Sequence, residues 1–586
     1  MNRIIAFMIV SNNINCSNDG NKPLQYLCQR FNKNISKIKT DYFTLHVVYE
    51  GKIGELLNQE NDNIHFCLGQ YNNKWKSAYV LSDRFLLVTI SNDRVICTSD
   101  YVGSIPVFYS LREGVVISNI EPVVITNSST SEHDISYDSF FGFMKFSHLI
   151  WEETLYKHIF SQEPDSRYTY TLGTKEPKKT DLKSIKASND RIYKSDIEVA
   201  KDLYRLNKDL VQNALLPYKE IVLPLSAGYD SRMIIAACSE NEGLLKRLKC
   251  FTYGSENSVE VIAAKELCKV YGVYWRHIEL PCQFLERHYL NPILNIFGSS
   301  LHLHGMYQLE FWEKIKPFLE TDSPVLTSGF MTGVPAGQHV SKLKIQNKNS
   351  SLTEAMENFS QSKYWKNDEL IRAFDFFDQK MLDLAEKRFK KAFDRFDGRI
   401  DQKSVLFDVW TRQRNFISYH PRTLEWEVPV ISPHMTAVYQ NFFMTLNEKH
   451  LKDRKAIELM FQYHYPDAAA IISNSNGTQS LTNHLDNMLL FYSRIMKKIN
   501  LELIIPKKYL DQPVLFDIPA LSHSKKSGLF PLFDSKRSTV LKQIFSEIGI
   551  EQIYDNALNG DLKAYGKLCI MQAVAYGLNL IQSEDE

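Results

Sequence analysis

The chain has 586 residues, with 69 Lys and Arg against 68 Asp and Glu, a formal net charge of +1. That balance supplies no basic field for nucleic acid or an anionic membrane. At 44% apolar and 23% charged residues the composition is globular, which excludes global disorder, and the length implies two large or about three to four ordinary domains.

Met1 to Val10 (MNRIIAFMIV) is apolar but too short to span a bilayer and reads as a first strand. Phe85–Ile90 and Arg94–Thr98 around Ser91-Asn92-Asp93 predict a hairpin. A second is predicted from Val107–Tyr109 and Val115–Ile117, with Gly114 supplying a positive φ at the turn. Residues 1–180 are therefore expected to be predominantly antiparallel β. Lys175–Asn189 has few large apolar residues and reads as a linker.

Past it the period changes. Ile221–Leu225 reads as a short buried strand and Lys249–Tyr253 and Tyr274–Leu280 as a second and a third strand, separated by helical runs at Ser231–Ser239 and Val259–Val270, with Gly254 and Gly272 as stops. Alternation of this length predicts right-handed crossovers and a parallel sheet. Beyond residue 350 the pattern is helical, as in Leu370, Phe374, Phe377, Met381, Leu384 and Ala385, with Gly398 as a stop. The nine cysteines are scattered without a C-x-x-C spacing, and no run reaches about 18 apolar residues, so a soluble, reduced, cytoplasmic protein is expected.

Val222–Ala237 (VLPLSAGYDSRMIIAA) carries the chemistry: a buried strand runs into Ser226-Ala227-Gly228-Tyr229-Asp230-Ser231 and then an apolar helix. Such a turn aims backbone N–H groups and a helix N-terminus at what lies above it, an arrangement suited to phosphate. Gly228 permits close approach, Ser226 and Ser231 offer hydroxyl donors, and Asp230 requires a bridging cation, for which magnesium is the natural candidate. The plainer alternative is a strand-to-helix turn in which Ser and Asp cap the helix.

Ser226–Ser231 resembles the S-G-G-x-D-S pyrophosphate loop of the ATP-pyrophosphatase superfamily, with Ala227 replacing one glycine. With Phe251-Thr252-Tyr253-Gly254 and the helix VEVIAAKELCKVYGV, it is similar to the synthetase domain of the asparagine synthetase family. Asp100–Tyr109 (DYVGSIPVFY) and Thr154-Leu155-Tyr156, with Ile159 and Pro164, resemble segments of the class II glutamine amidotransferase domain that precedes it in that family. The resemblance implies an antiparallel β-sandwich over residues 1–180. A doubly wound, parallel-sheet α/β nucleotide domain with a large helical lobe would follow over residues 190–586. It implies ATP and Mg2+, adenylation of a small-molecule or peptide carboxylate, loss of pyrophosphate and attack by an amine donor. Neither nucleic acid nor a membrane would be a partner. Asp230 would be the site's catalytic residue by holding the metal on the pyrophosphate. Ser226, Gly228 and Ser231 would hold the phosphates, Leu225 and Tyr253 would border adenine and ribose, and Ser328 and Gly329 would complete the site.

The chain departs from that family at three places. Asn2 stands at the position of the nucleophilic cysteine, and an amide cannot form the thioester, so glutaminase activity is not expected. In this it is similar to the β-lactam synthetases and lasso-peptide cyclases. Gly333 stands where Ser328–Gly333 should end in an acid, and Ile471–Gly477 (IISNSNG) lacks the family's lysine. The alternative is thus a non-catalytic scaffold or binding module. Glu260 is read as favouring its helix dipole, His302-Leu303-His304 as wall or core histidines, and His434 has no assigned role. The charges at Lys201–Asn207 and Glu386–Lys391 read as solvated helix faces. Trp410–Arg414 and Arg422–Glu427 lie in the region that borders the acceptor pocket in the family resembled, and ordinary surface and core helix is the alternative reading.

Overall fold

A computed structural model describes residues 2–14, 21–60, 63–69, 84–186, 195–254, 256, 258–280, 287–303, 305–338, 340, 364–373, 377–473, 481–482, 488, 552–553, 555–557, 559 and 561–582. Its architecture is mixed α/β, with one large curled mixed sheet and a second, parallel sheet.

The large sheet contains β1 (Arg3–Ser11), β2 (Asn34–Lys39), β3 (Phe43–Glu50), β4 (Asn58–Glu60), β5 (Asn63–Gly69), β6 (Phe85–Ser91), β7 (Arg94–Ser99), β8 (Phe108–Ser110), β9 (Val116–Ser118), β10 (Phe160–Ser161), β11 (Ser166–Thr171) and β12 (Lys178–Asp181). β1 is buried along both faces, which is why its sequence is uniformly apolar instead of alternating. One of its edges pairs antiparallel with β3. The other meets β9 at Met8–Val10 and β5 through a parallel bridge from Ile4 to Leu68. The sheet is thus predominantly antiparallel, as expected, with this one parallel bridge, and it is a single curled mixed sheet where a sandwich was expected. Two layers do face each other, with the Phe7 and Phe66 rings 5.5 Å apart between them, but they are joined through β1 into one mixed sheet.

Both hairpins form, β6 with β7 and β8 with β9. At the first turn Asn92 takes a φ of 44°. Gly114 is not among the positive-φ glycines; a side chain there would collide with the Ser11 hydroxyl, which accepts the Val115 N–H at 3.0 Å. Close packing, not turn geometry, requires this glycine. The predicted linker is corrected too: Lys178–Asp181 pairs with β11 as a mostly exposed edge strand, and its Lys and Thr content is that of a protected sheet edge. Residues 187–189 of that stretch lie outside the described residues.

The second sheet contains β13 (Ile221–Pro224), β14 (Leu248–Tyr253), β15 (Tyr274–Ile278), β16 (Val325–Thr327) and β17 (Val430–Ile431), all parallel, in the order β15-β14-β13-β16-β17. The order reverses between β13 and β16, so the crevice beyond their carboxyl ends is the place where such sheets bind ligands. Four helices bear on the argument: α1 (Asp196–Leu215), α2 (Tyr229–Ser239), α3 (Val259–Tyr271) and α4 (Gln379–Asp394). α1 starts in a capping box, Glu198 N–H to Ser195 Oγ at 3.3 Å and Ser195 N–H to Glu198 Oε2 at 2.8 Å. Lys201 and Arg205 are exposed on it as expected, whereas Asn207 is fully buried.

α4 begins later than the apolar period suggested, because the Asp378 side chain caps it through the Met381 N–H at 2.9 Å; Phe374 lies outside the described residues. Its charged run is largely solvated, but Glu386 reaches the buried Lys145 at 3.0 Å and Arg388 reaches Glu153 at 3.2 Å. One hydrophobic core joins the β half to the helical lobe, with Phe141 against Phe377 at 4.7 Å and Phe31 against Trp426 at 5.4 Å between ring centroids. No described helix is long and apolar enough to cross a membrane.

Candidate functional site at the switch point

The turn from β13 into α2 is closed by its own side chains. Ser226 N–H donates to Ser231 Oγ at 3.0 Å, Gly228 N–H to Ser226 Oγ at 3.2 Å, and the two hydroxyls lie 3.1 Å apart. Glu260, in the first turn of α3, accepts the Ala227 N–H at 2.5 Å. Glu260 thus buckles this turn to the next crossover, in addition to its favourable place at a helix start. Burial pushes its carboxyl above the ordinary range. The three N–H groups of Ser226, Ala227 and Gly228 are therefore engaged by the protein itself. Of the two serine hydroxyls one donates to the other, and the remaining hydroxyl hydrogen, with the first turn of α2, is what the loop offers an anion.

Asp230 occupies that first turn. Its Oδ1 is sealed from solvent and has no hydrogen-bond partner. Burial raises its pKa from 3.8 to about 6, with Arg454 pulling it back. A Cβ on Gly333 would lie 2.9 Å from this Oδ1, 3.0 Å from Gln338 Oε1 and 3.5 Å from an Arg454 nitrogen. Gly333 is thus in contact with Asp230, and Arg454 is the cation that stands near both. Of the 471–477 stretch, residues 474–477 lie outside the described residues. Arg454 precedes α5 (Lys455–His464), which packs along α1 with the Tyr204 and His464 rings stacked at 4.3 Å. Arg454 takes a φ of 61° and lies 5.2 Å from the Tyr229 ring centre. Nothing local in the sequence marks it.

The loop after β16 approaches equally closely. Ser328 N–H donates to Ile431 O at 2.8 Å and its Oγ accepts the Phe330 N–H at 3.2 Å. A Cβ on Gly329 would stand 2.9 Å from the Asp230 backbone carbonyl carbon. Gly329→Ala must therefore push the two loops apart, with an expected loss of about 1–3 kcal/mol in denaturant unfolding and weakened ligand binding. Thr332 follows, held by a buried relay. Asn207 donates through Nδ2 to Met233 O at 3.1 Å, so its Oδ1 accepts from His434 Nε2 at 2.7 Å. His434 Nδ1 then accepts from Thr332 Oγ1 at 2.8 Å. Burial lowers the His434 pKa to about 3, so the ring is neutral. Its role is to hold the β16 loop against α1 and α2.

Seven of the eight predicted positions (Leu225, Ser226, Asp230, Ser231, Tyr253, Ser328 and Gly329) line one cavity of about 300 Å³. Gly228, the extended residue that caps α2, stands behind it. The Tyr253 ring packs on Tyr307 at 4.6 Å and bonds its hydroxyl, and Leu225 is fixed by Thr252 Oγ1 donating to its carbonyl at 2.8 Å. The far wall is Phe330, Ile417, His420 and Pro421. It falls between the two aromatic-charged segments singled out by sequence. Those segments face elsewhere: Arg414 donates to Ser161 Oγ at 2.6 Å, and Arg422, Glu425 and Trp426 line a second cavity. His302 is a core residue between the Tyr364 and Phe416 rings at 5.2 and 4.6 Å, and His304 lies outside the described residues.

Arg232, one turn into α2, is fully buried and was not anticipated. It donates to Ala227 O at 3.2 Å, Ala468 O at 2.8 Å, Ile471 O at 3.1 Å and Ile472 O at 2.8 Å. One guanidinium therefore ties the loop to the C-terminal segment. Among the described residues no group of three His, Cys, Asp or Glu side chains could hold a metal ion. The unpartnered Asp230 oxygen does fit one ligand of a hydrated magnesium that draws its other oxygens from phosphate and water. No family model matches the chain, and no curated protein matches it.

Proposed function

We propose that the chain is an ATP-dependent carbon–nitrogen ligase of asparagine synthetase type, with an amine or ammonia that does not come from a glutaminase of its own. The observation that carries this reading is Asp230, which starts the helix above the switch point with an unpartnered Oδ1 and lines a cavity walled by the two loops expected to hold a nucleotide. Asp230 would ligate magnesium, which supplies charge neutralisation on the phosphates. Ser226 and Ser231 would orient those phosphates, and Arg454 would oppose charge building on the departing pyrophosphate. The carboxylate oxygen of the substrate would form the bond to the α-phosphorus as pyrophosphate leaves. Attack of the amine on the acyl carbon would then expel AMP and release a proton. Asn2 supports the absence of glutaminase: its Oδ1 accepts the Lys52 N–H at 3.1 Å and its amide donates to Glu55, so it braces residues 51–55.

One observation favours the second reading, a non-catalytic module: the three N–H groups of the loop already have partners, and Gly333 leaves Asp230 without a second acid. Calorimetric titration with Mg·ATP separates them. The ligase reading expects magnesium-dependent binding that Asp230→Ala abolishes in a folded protein, followed by pyrophosphate exchange with a subset of carboxylic acids. Binding absent from both proteins favours the module.

A further inference from the structure

The second cavity, of about 320 Å³, lies between the β half and the synthetase half, and its lining runs from Arg3 and Ile5 on β1 to Arg422 and Trp426 near β17. Its polar side is built from guanidinium groups whose donors are not all used. Arg422 is 5% exposed, stacks 5.0 Å from the Phe297 ring centre and 5.6 Å from that of Tyr419, and touches Asn119 O with Nη2 at 3.4 Å. Its Nη1 is sealed from solvent and has no partner. Arg3 donates through Nε to Glu50 at 2.8 Å and through Nη1 to Glu425 O at 2.6 Å, leaving Nη2 unpartnered.

The charges around the cavity are paired, but not every guanidinium donor is used. Glu425 is engaged by the buried Arg84, which itself keeps an unpartnered Nη2. Glu50 is shared between Arg3 and Lys33, and Glu427 is held by Lys316 at 2.6 Å. Lys33 also interacts with Glu427, and Arg84 with the buried Asp100, so what is left without a partner is single guanidinium nitrogens of Arg3, Arg84 and Arg422. Burial lowers the Arg422 pKa to about 10, with Tyr419 and Glu425 pulling it back up. Isolated buried donors of this kind are costly, and a ligand that accepts from them relieves the cost.

We infer that this cavity is a binding site for a small organic carboxylate, received by the Arg3 and Arg422 side chains that line it, with its carbon skeleton against Ile5, Ile120 and Ile296. A planar carboxylate suits guanidinium donors, and the isoleucine wall suits an alkyl body better than the hydration shell of a free phosphate. The site is distinct from the Asp230 cavity and does not depend on the ligase reading. Ile431 lines it and also accepts the Ser328 N–H at 2.8 Å, so the two sites share a strand.

The test is calorimetric titration of the full chain, without ATP, with succinate, glutamate, hexanoate and inorganic phosphate. It would be run on the unaltered protein, Arg422→Gln, Ile296→Phe and Asp230→Ala. The expected result is saturable binding of at least one of the three carboxylates, unchanged in Asp230→Ala and weakened about tenfold or more in both cavity variants. Ile296→Phe fills the apolar wall without touching a guanidinium and decides the matter if Arg422→Gln does not fold. The inference is overturned if no carboxylate binds, if phosphate alone binds, or if binding is indifferent to the folded cavity variants. Loss of binding in Asp230→Ala overturns it too, since the carboxylate would then occupy the other site.

Discussion

Arg232→Met is expected to destabilise the protein by about 3–5 kcal/mol, the largest effect of any single substitution around the loop. Four backbone carbonyls accept from this one side chain, and hydrogen bonds to a charged group contribute roughly 1.5–3 kcal/mol each. Against that stands the cost of burying the cation. Burial lowers the Arg232 pKa from 12.5 to about 10, so the folded state disfavours the charged form at every pH below about 10, by roughly 3 kcal/mol. The bonds outweigh it. Arg232→Lys keeps the charge but presents its donors from one point, so it cannot span Ala227 and Ala468–Ile472 together, and a loss nearly as large is expected. Denaturant midpoints for the three proteins would measure this, and hydrogen exchange over residues 225–231 would show the loop loosening. A near-neutral Arg232→Met would mean that the C-terminal segment is held by its apolar packing alone.

The contrast between the loop and its supports explains what could be read from sequence. Ser226, Asp230 and Ser231 are legible because strand, turn and helix start are consecutive, and the hydrogen bonds closing the turn span at most five residues. β13 and β14 are legible for the same reason, being largely buried runs of consecutive residues, and β15 is legible through Gly272, which ends the helix before it, although most of its own residues are not buried. Glu260, Arg232 and Arg454 read as ordinary charged helix residues, since what they touch arrives from distant chain. Ala468 O meets Arg232 across 236 positions, and no local pattern encodes that. The wall at Ile417–Pro421 is hidden likewise: its residues are unremarkable until β17 places them over β16. The joining of the two β layers depends on a single bridge, Ile4 to Leu68, a detail that the apolar run of β1 permits but does not specify.

Asp230→Asn is expected to stabilise the ligand-free protein at neutral pH while abolishing its response to Mg·ATP. The folded pKa of Asp230, about 6, exceeds the ordinary 3.8. A carboxyl raised in this way costs nothing below pH 3.8. The cost grows as pH passes from about 4 to 6 and is constant above, because the folded state must then hold an ionised group with an unpartnered oxygen. The neutral amide avoids that cost, so the variant should gain about 2–3 kcal/mol near pH 7.5 and only about 0.5 kcal/mol at pH 4. Magnesium bridging Asp230 to phosphate reverses the balance, since it binds the ionised form that apo folding disfavours. Melting temperatures at the two pH values, with and without Mg·ATP, therefore give a crossed pattern. The variant melts higher alone at pH 7.5, and only the unaltered protein gains from the nucleotide. A variant that gains equally would show that Asp230 is not a ligand of the cation, and the proposed chemistry would lose its metal. Equal stability of the ligand-free pair at pH 7.5 would instead show that the Asp230 charge is satisfied by Arg454, and that the acid is held as half of an ion pair.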